Sequence, residues 1–354
     1  MEHAFGRSAP LSLGVEEELL LVDEQTLEPV PASKRIVDSV GDGRVKLELF
    51  TSFVETATGV CATPREAYDQ VVELRERVAV AAEGAGLKVA ATGSHPFADP
   101  EQTPIVDEPD YLEFAEAAGP AARRQGVCGL HVHVGMPDPE TCVRTHERVT
   151  PWLPVVLAIS ANSPWFRGRK TGLLSNRAEV LATLPRSGVP PEFSTWPEWE
   201  RLMERWIRAG VLKKPTSTWW DIRVHPAHGT LEVRAPDQPT DVRTTGAFVA
   251  LLHALAAWAV DADVNGSSRA DYHSNRFFAS RFGPRAELLH PYEDRQVSVP
   301  DLYRELLELV GPHADRELLD GLDPTRCEAD LQAAADDARG ACDLLVRRSV
   351  ASPA

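Results

Sequence analysis

Four pairs of polar residues stand two positions apart: Glu16 and Glu18 in GVEEELLLVD, His131 and His133 in GLHVHVG, Asp221 and Arg223 in WWDIRVH, and Glu232 and Arg234 in LEVRAPD. In an extended strand, residues i and i+2 point to the same face. Val132, Ile222 and Val233, which lie between three of the pairs, are apolar. Each segment reads as a strand with one apolar face and one face carrying charge or imidazole. If the strands share a sheet, their polar faces form one surface. A merely wet face of an antiparallel sheet shows the same alternation. Solvated strands, however, favour Thr and Lys, and these positions hold only Glu, His, Asp and Arg.

Several carboxylates with one imidazole make a hard, oxygen-rich donor set, which suits Mg²⁺ or Mn²⁺ better than zinc. Mg²⁺ keeps part of its shell for water and nucleotide phosphates, and the neighbouring arginines suit the same anions. Taken alone, His131 and His133 could instead be two ligands of a zinc or iron enzyme. Two departures from this pattern stand out. Glu17 falls on the apolar face, which predicts a sheet edge or a local bulge. Glu48 and Glu55 are an odd number of residues apart, so the chain must bend or bulge near Thr51 and Ser52 if both serve one site. The sequence contains no HExxH, no Walker A motif and no clear GxGxxG, and no Ser-His-Asp or Cys-His nucleophile is apparent.

The elements that must hold these residues can be read around them. Residues 13–22 and 129–135 predict strands, and LKVAATG predicts another. Residues 64–84 predict a helix with Ala67, Val71, Leu74, Val78 and Ala81 on one face and Gly84 and Gly86 as stops. Residues 143–162 predict a helix interrupted by Pro151 and Pro154, and residues 163–194 predict loops around one short element. Thr195 and Glu198 form a Thr-x-x-Glu capping box ahead of a core stripe of Trp199, Leu202, Met203, Trp206 and Ile207. STWWDIRVHPAHGTLEVRAPD predicts a hairpin about Pro-Ala-His-Gly. Residues 240–262 predict an apolar helix, and the chain from about 300 is mostly helical, with Gly340 weakening the last helix. Strands and helices do not alternate strictly. This favours an α+β fold with a largely antiparallel sheet. Candidate site strands run from residue 14 to 234, so residues 1–354 are expected to form a single catalytic domain.

Bulk properties narrow the partners. The chain has 354 residues and a formal net charge of −16, which argues against nucleic acid. The five cysteines are odd in number and form no Cys-x-x-Cys, as in a reduced cytoplasmic protein. AFVALLHALAAWAV is short for a membrane span and contains His253, so a buried helix is expected and a membrane partner is not.

At these residues the sequence resembles the bacterial glutamate–cysteine ligase type 2 family. LGVEEELLLVD, ELFTSFVETAT, ATGSHPFADPEQTP, GLHVHVGMPD, LPRSGVPPEF and WWDIRVHPAHGTLEVRAPD carry the likeness in the family's order over about residues 12–262. SNRFFASRFG matches more poorly, with phenylalanines where Trp and Arg are usual. The resemblance implies a curved antiparallel sheet forming a funnel-like site, with helices on the outer face. It also implies an ATP- and Mg²⁺-dependent carboxylate–amine ligase, with Mn²⁺ as a substitute, working through an acyl phosphate on small-molecule acid and amine substrates. By the same resemblance, Glu16, Glu18, Glu48, Glu55, His131 and Glu232 would be metal ligands, and Glu55 also catalytic. Arg234 would hold the transferring phosphoryl group, with His131 and His133 near the nucleotide. Arg223 would hold a substrate carboxylate or phosphate, and Arg186 would lie on a loop closing over the site. A homodimer or larger homo-oligomer is compatible with this reading. A zinc or iron metalloenzyme, or a non-catalytic binder of nucleotide or amino acid, stays open as an alternative.

Overall fold

The apolar run at residues 13–22 forms the long strand β1 (Leu13–Asp23). This strand has neighbours on both sides in a seven-stranded sheet of a computed structural model that describes residues 1–350 apart from 265 and 267. The other strands are β2 (Val45–Leu47), β3 (Phe53–Ala57), β4 (Leu87–Ala90), β5 (Leu130–Gly135), β6 (Ile222–His225) and β7 (Thr230–Val233). Their order is β6–β7–β5–β1–β3–β2, with β4 also pairing the second half of β1, and every ladder is antiparallel. The principal helices are α1 (Pro64–Glu83), α2 (Pro109–Ala118), α3 (Pro139–Val149), α4 (Leu153–Ser160), α5 (Trp196–Arg208), α6 (Val242–Asp261), α7 (Arg269–Phe282) and α8 (Ala338–Ser349).

The apolar face of the sheet makes the core. Leu13, Val15, Val132, Val134, Leu231 and Val233 pack with Val143 and Val149 of α3 and with Phe248, Leu251 and Leu252 of α6. Farther along, Leu19, Leu21, Val54 and Val89 pack with Leu74 and Val78 of α1. This is the expected α+β arrangement. Helix α6 is long and apolar enough to cross a membrane, but it serves as a core helix with most of its length buried. The opposite face divides into two zones. Beyond Glu18 it turns apolar, and Leu20, Val22 and Phe53 pack against Phe50, Cys128 and Leu345 and Val346 of α8. The polar zone is thus confined to the first half of β1 and the strands beside it.

Several local expectations need correction. Glu17 lies at neither an edge nor a bulge. It sits mid-strand, fully buried, and is ion-paired to Arg75 of α1. Its oxygens also accept from Gln238 Nε2 at 2.8 Å and Thr245 Oγ1 at 2.9 Å. A charged pair with this many partners is tolerated in a core where a lone carboxylate is not. The proline-broken helix begins at Pro139, capped by Asp138, and a 3₁₀ turn at Thr150–Trp152 separates α3 from α4. Both prolines occupy first-turn positions, where a missing N–H costs nothing. The Thr195 hydroxyl makes no cap, although Glu198 does accept from Ser194 N at 2.8 Å. Gly340 lies in the first turn of α8 and donates to the N-cap Asp337, so it does not interrupt the helix.

Candidate active site

Strand register gathers the polar pairs. Glu16 lies opposite His131 across the β1–β5 ladder. His133 lies opposite Glu232, and Glu232 lies opposite Arg223. Glu18 lies opposite Glu55 across β1–β3. Arg234 leaves β7 beside His131, its Nη1 3.3 Å from His131 Nδ1. Glu48 and Glu55 reach this neighbourhood because β2 and β3 form a hairpin that reverses at Thr51 and Ser52, where the bend was expected. Glu55 carries an ion pair to Lys46 at 3.4 Å, while Glu48 accepts from the Tyr111 hydroxyl of α2 at 3.4 Å.

One expected pair separates. Arg223 joins the cluster, but Asp221 binds Arg276 of α7 at 2.7 Å and accepts from the Tyr272 hydroxyl at 2.8 Å. The SNRFFASRFG segment at the end of α7 therefore ties to the scaffold through Arg276. Of the two tryptophans, Trp220 is core and Trp219 pairs with Phe114 at 4.9 Å. All five cysteines are free and buried.

Charge is unevenly compensated within the cluster. Glu232 is enclosed by two guanidinium groups: Arg234 Nη1 donates to Oε1 at 2.6 Å, Arg223 Nη2 donates to Oε1 at 3.0 Å, and Arg223 Nε donates to Oε2. Burial opposes its ionisation, yet Arg223 and Arg234 hold its carboxyl well below the usual range. Burial likewise opposes the charge on Glu16, but hydrogen bonds with His131 and His133 outweigh it and keep Glu16 low. Burial lowers His131 and Arg234 adds to the effect, whereas Glu232 and Glu16 more than offset burial at His133 and raise it. Glu48 and Glu55 lack such support. Burial and the charge of Glu18 push Glu48 up to about 7, and burial with Glu16 pushes Glu55 well above its ordinary value. Carboxylates raised by burial and mutual repulsion are those a divalent cation relieves.

The donor set fits such an ion. One atom each from Glu16, His131 and Glu232 lie within 4.8 Å of one another. His131 Nε2 is buried without a hydrogen-bond partner and stands 3.7 Å from Glu18 Oε1. This group takes His131 and not His133: His131 Nδ1 is 3.1 Å from Glu16 Oε2, and His133 Nδ1 is 2.9 Å from Thr230 Oγ1. One imidazole with several carboxylates favours Mg²⁺ or Mn²⁺.

A cleft of about 1050 Å³ opens on this face. Glu18, Glu48 and His131 line one side. Arg177, Arg186, Lys213, Lys214 and Arg234 add positive charge, and Tyr111, Phe114 and Trp219 add aromatic surface. Glu16, His133, Arg223 and Glu232 continue the polar face along β1, β5, β6 and β7, and Glu55 continues it on β3 opposite Glu18. Arg186 has left-handed backbone at φ 59° and a buried Nε without a partner, and Trp219 N–H donates to its carbonyl at 2.8 Å. Arg177 and Tyr111 escape sequence reasoning. Each stands alone on a helix with no periodic polar partner, and only the fold brings them to the strands.

The family model for glutamate–cysteine ligase family 2 matches residues 12–341. A Rubrobacter xylanophilus protein provisionally named glutamate–cysteine ligase 2-3 is 38% identical over 355 residues, covering 99% of this chain and 95% of its own. A Herpetosiphon aurantiacus protein provisionally named glutamate–cysteine ligase 2 is 33% identical over 86% of this chain and 82% of its own. Among solved structures, a glutamate–cysteine ligase from Francisella tularensis in complex with AMP superimposes with a TM-score of 0.73 at 12% identity, covering 97% of this chain and 89% of that one, a likeness of fold. The chain belongs to glutamate–cysteine ligase family 2 and is an ATP-dependent carbon–nitrogen ligase.

Proposed function

We propose that this protein activates a small-molecule carboxylate as an acyl phosphate and passes the acyl group to an amine, the whole chain acting as one catalytic unit. The observation that carries this reading is the single face on which under-compensated carboxylates meet paired arginines, beside a cleft with room for a nucleotide. The substrate carboxylate oxygen takes the γ-phosphoryl group of ATP and ADP leaves. The amine nitrogen then attacks the acyl carbon, phosphate departs, and the nitrogen loses a proton. Glu16, Glu18, Glu48, Glu55, His131 and Glu232 are the residues that would hold the metal. When bound, Mg²⁺ supplies charge neutralisation between the nucleotide and the acid.

Arg234 fits the role of holding the transferring phosphoryl group, because a planar guanidinium offers several fixed donors. Glu232 orients Arg234 and Arg223 together. Arg223 keeps its Nη1 on the Thr216 and Thr218 carbonyls, which ties β6 to the loop lining the cleft. His133 is oriented by Thr230, and Arg186 presents its charge from the cleft wall. The relatives' names make glutamate and cysteine the first pair to try. The test is ADP release from ATP across acids crossed with amines, with Mg²⁺ present. Activity that requires both substrates is the expected result. Absence of nucleotide binding with any divalent cation would overturn the proposal.

A further inference from the structure

We propose that Arg177 is a positioning residue for the transfer step, acting through Arg234. This inference rests on the ligase reading above. Arg177 belongs to the short helix Asn176–Leu181, whose N-cap is Ser175. The helix is seated by Asp237: the Ser175 hydroxyl donates to Asp237 Oδ1 at 2.7 Å, and the Ser163 hydroxyl donates to Oδ2 at 2.6 Å. Ser163 Oγ in turn accepts from Arg177 N at 3.0 Å. From this seat the side chain runs beneath the exit of β7. Its Nη2 donates to the carbonyl of Arg234 at 3.1 Å, and its Nη1 donates to the carbonyl of Ala235 at 3.2 Å.

Arg177 is 2% exposed, and its Nε is buried without a partner. Arg177 reaches the cleft wall, but the hydrogen bonds of its Nη1 and Nη2 go to backbone carbonyls, so its grip on the site runs through the peptide it holds. What it grips is the peptide that carries Arg234. Gly129 makes the arrangement possible. A Cβ there would stand 2.0 Å from Arg177 Nη2, and the Gly129 N–H donates to Glu18 Oε2 at 2.6 Å. One glycine therefore holds a carboxylate of the cluster and admits the arginine that fixes the cluster's principal cation. A guanidinium fork spans two consecutive carbonyls, whereas a lysine offers a single point charge. Arg177→Lys therefore keeps the charge and removes the two-point grip.

The experiment is a mutant cycle with Arg177→Lys and Arg234→Lys, singly and together, in the full chain. Two quantities are read: kcat/KM for ADP release, and the Kd of a non-hydrolysable ATP analogue with Mg²⁺ by calorimetry. With Arg234 present, Arg177→Lys should lower kcat/KM about 100-fold, the scale of an ångström-sized misplacement. It should also weaken analogue binding about 10-fold, the scale of a lost charge-assisted contact. In the Arg234→Lys background both effects should shrink to less than about 3-fold, because residues acting as a unit are not additive. Equal losses in both backgrounds, or a wild-type Arg177→Lys protein, would overturn the inference. If Arg177→Lys does not fold, Gly129→Ala takes its place in the same cycle, since its Cβ displaces the guanidinium while leaving the arginine in place. A wild-type chain with neither ADP release nor analogue binding sinks the ligase reading itself. An active wild type with additive losses sinks only the role of Arg177.

Discussion

Glu16, Glu17 and Glu18 are identical side chains on successive positions of one strand, and pleating gives them different environments. Glu16 and Glu18 look onto histidines and a backbone N–H, while Glu17 looks onto Arg75. Their spacing made this division readable from the sequence; the partner of Glu17, 58 positions away on a helix, was not. Glu16→Gln is expected to lower ADP release by at least about 100-fold, with an unfolding midpoint near that of wild type; wild-type turnover would remove β1 from the site. Glu48 gives a pH prediction. In the folded chain, burial and the charge of Glu18 raise its pKa from the ordinary 4.5 to about 7. A carboxyl raised on folding destabilises the fold only when it must ionise, so the cost is absent below pH 4.5 and grows as pH rises toward 7. Without metal, Glu48→Gln should therefore be more stable than wild type at pH 8, by on the order of 1–3 kcal/mol, and equal to it near pH 4.5. Denaturation at the two pH values measures this. A constant difference would show that Glu48 does not titrate in this range.

Among the elements, those with strong period were legible and those governed by distant partners were not. Strand β1, strand β5, the β6–β7 hairpin, α1 and α6 follow their apolar spacing closely. The start of α3 was missed because Asp138 and Pro139 mark it more strongly than the apolar residues after it. The buried charge on α1 was missed because a lone Arg75 among apolar positions looks like an interruption of the stripe. It is instead the element's chief tie to the sheet. Arg75 also donates to the carbonyls of Thr240 at 2.6 Å and Pro239 at 3.2 Å. Arg75→Ala leaves Glu17 buried and uncompensated, and should cost about 3–5 kcal/mol, read by chemical denaturation. A loss below about 1 kcal/mol would mean that water or Gln238 satisfies Glu17 unaided.

At the scale of the whole molecule, the fold concentrates anionic groups that its own arginines only partly balance. Divalent cation and nucleotide should therefore stabilise the chain together. At a ligand concentration 100 times Kd, the gain is about 2.7 kcal/mol. Mg²⁺ with ATP is expected to raise the unfolding midpoint more than either alone, and chelation should reverse the rise and stop ADP release. Zinc retained through chelation, with turnover independent of ATP, would instead revive the two-histidine alternative. The gathering of the polar residues was legible because they lie at alternating positions of strands that share a sheet. The cleft was not, because it depends on Tyr111, Arg177 and the 210–217 loop, which no local pattern joins to those strands.

The tie between Arg75 and the carbonyl of Ser349, 3.3 Å long and 274 positions apart in the chain, has a bearing on synthesis. At ribosomal rates of about 5–20 residues per second, the second residue appears about 14–55 s after the first. Throughout that interval the strand carrying Glu16 and Glu18 has been made, yet the arginine behind it lacks one of its acceptors. The face of β1 around Leu20 and Val22 also lacks the cover that Leu345 and Val346 of α8 give it. A nascent chain halted before α8 thus displays a sticky, half-neutralised sheet. Chaperone engagement on ribosomes is expected to fall when α8 emerges.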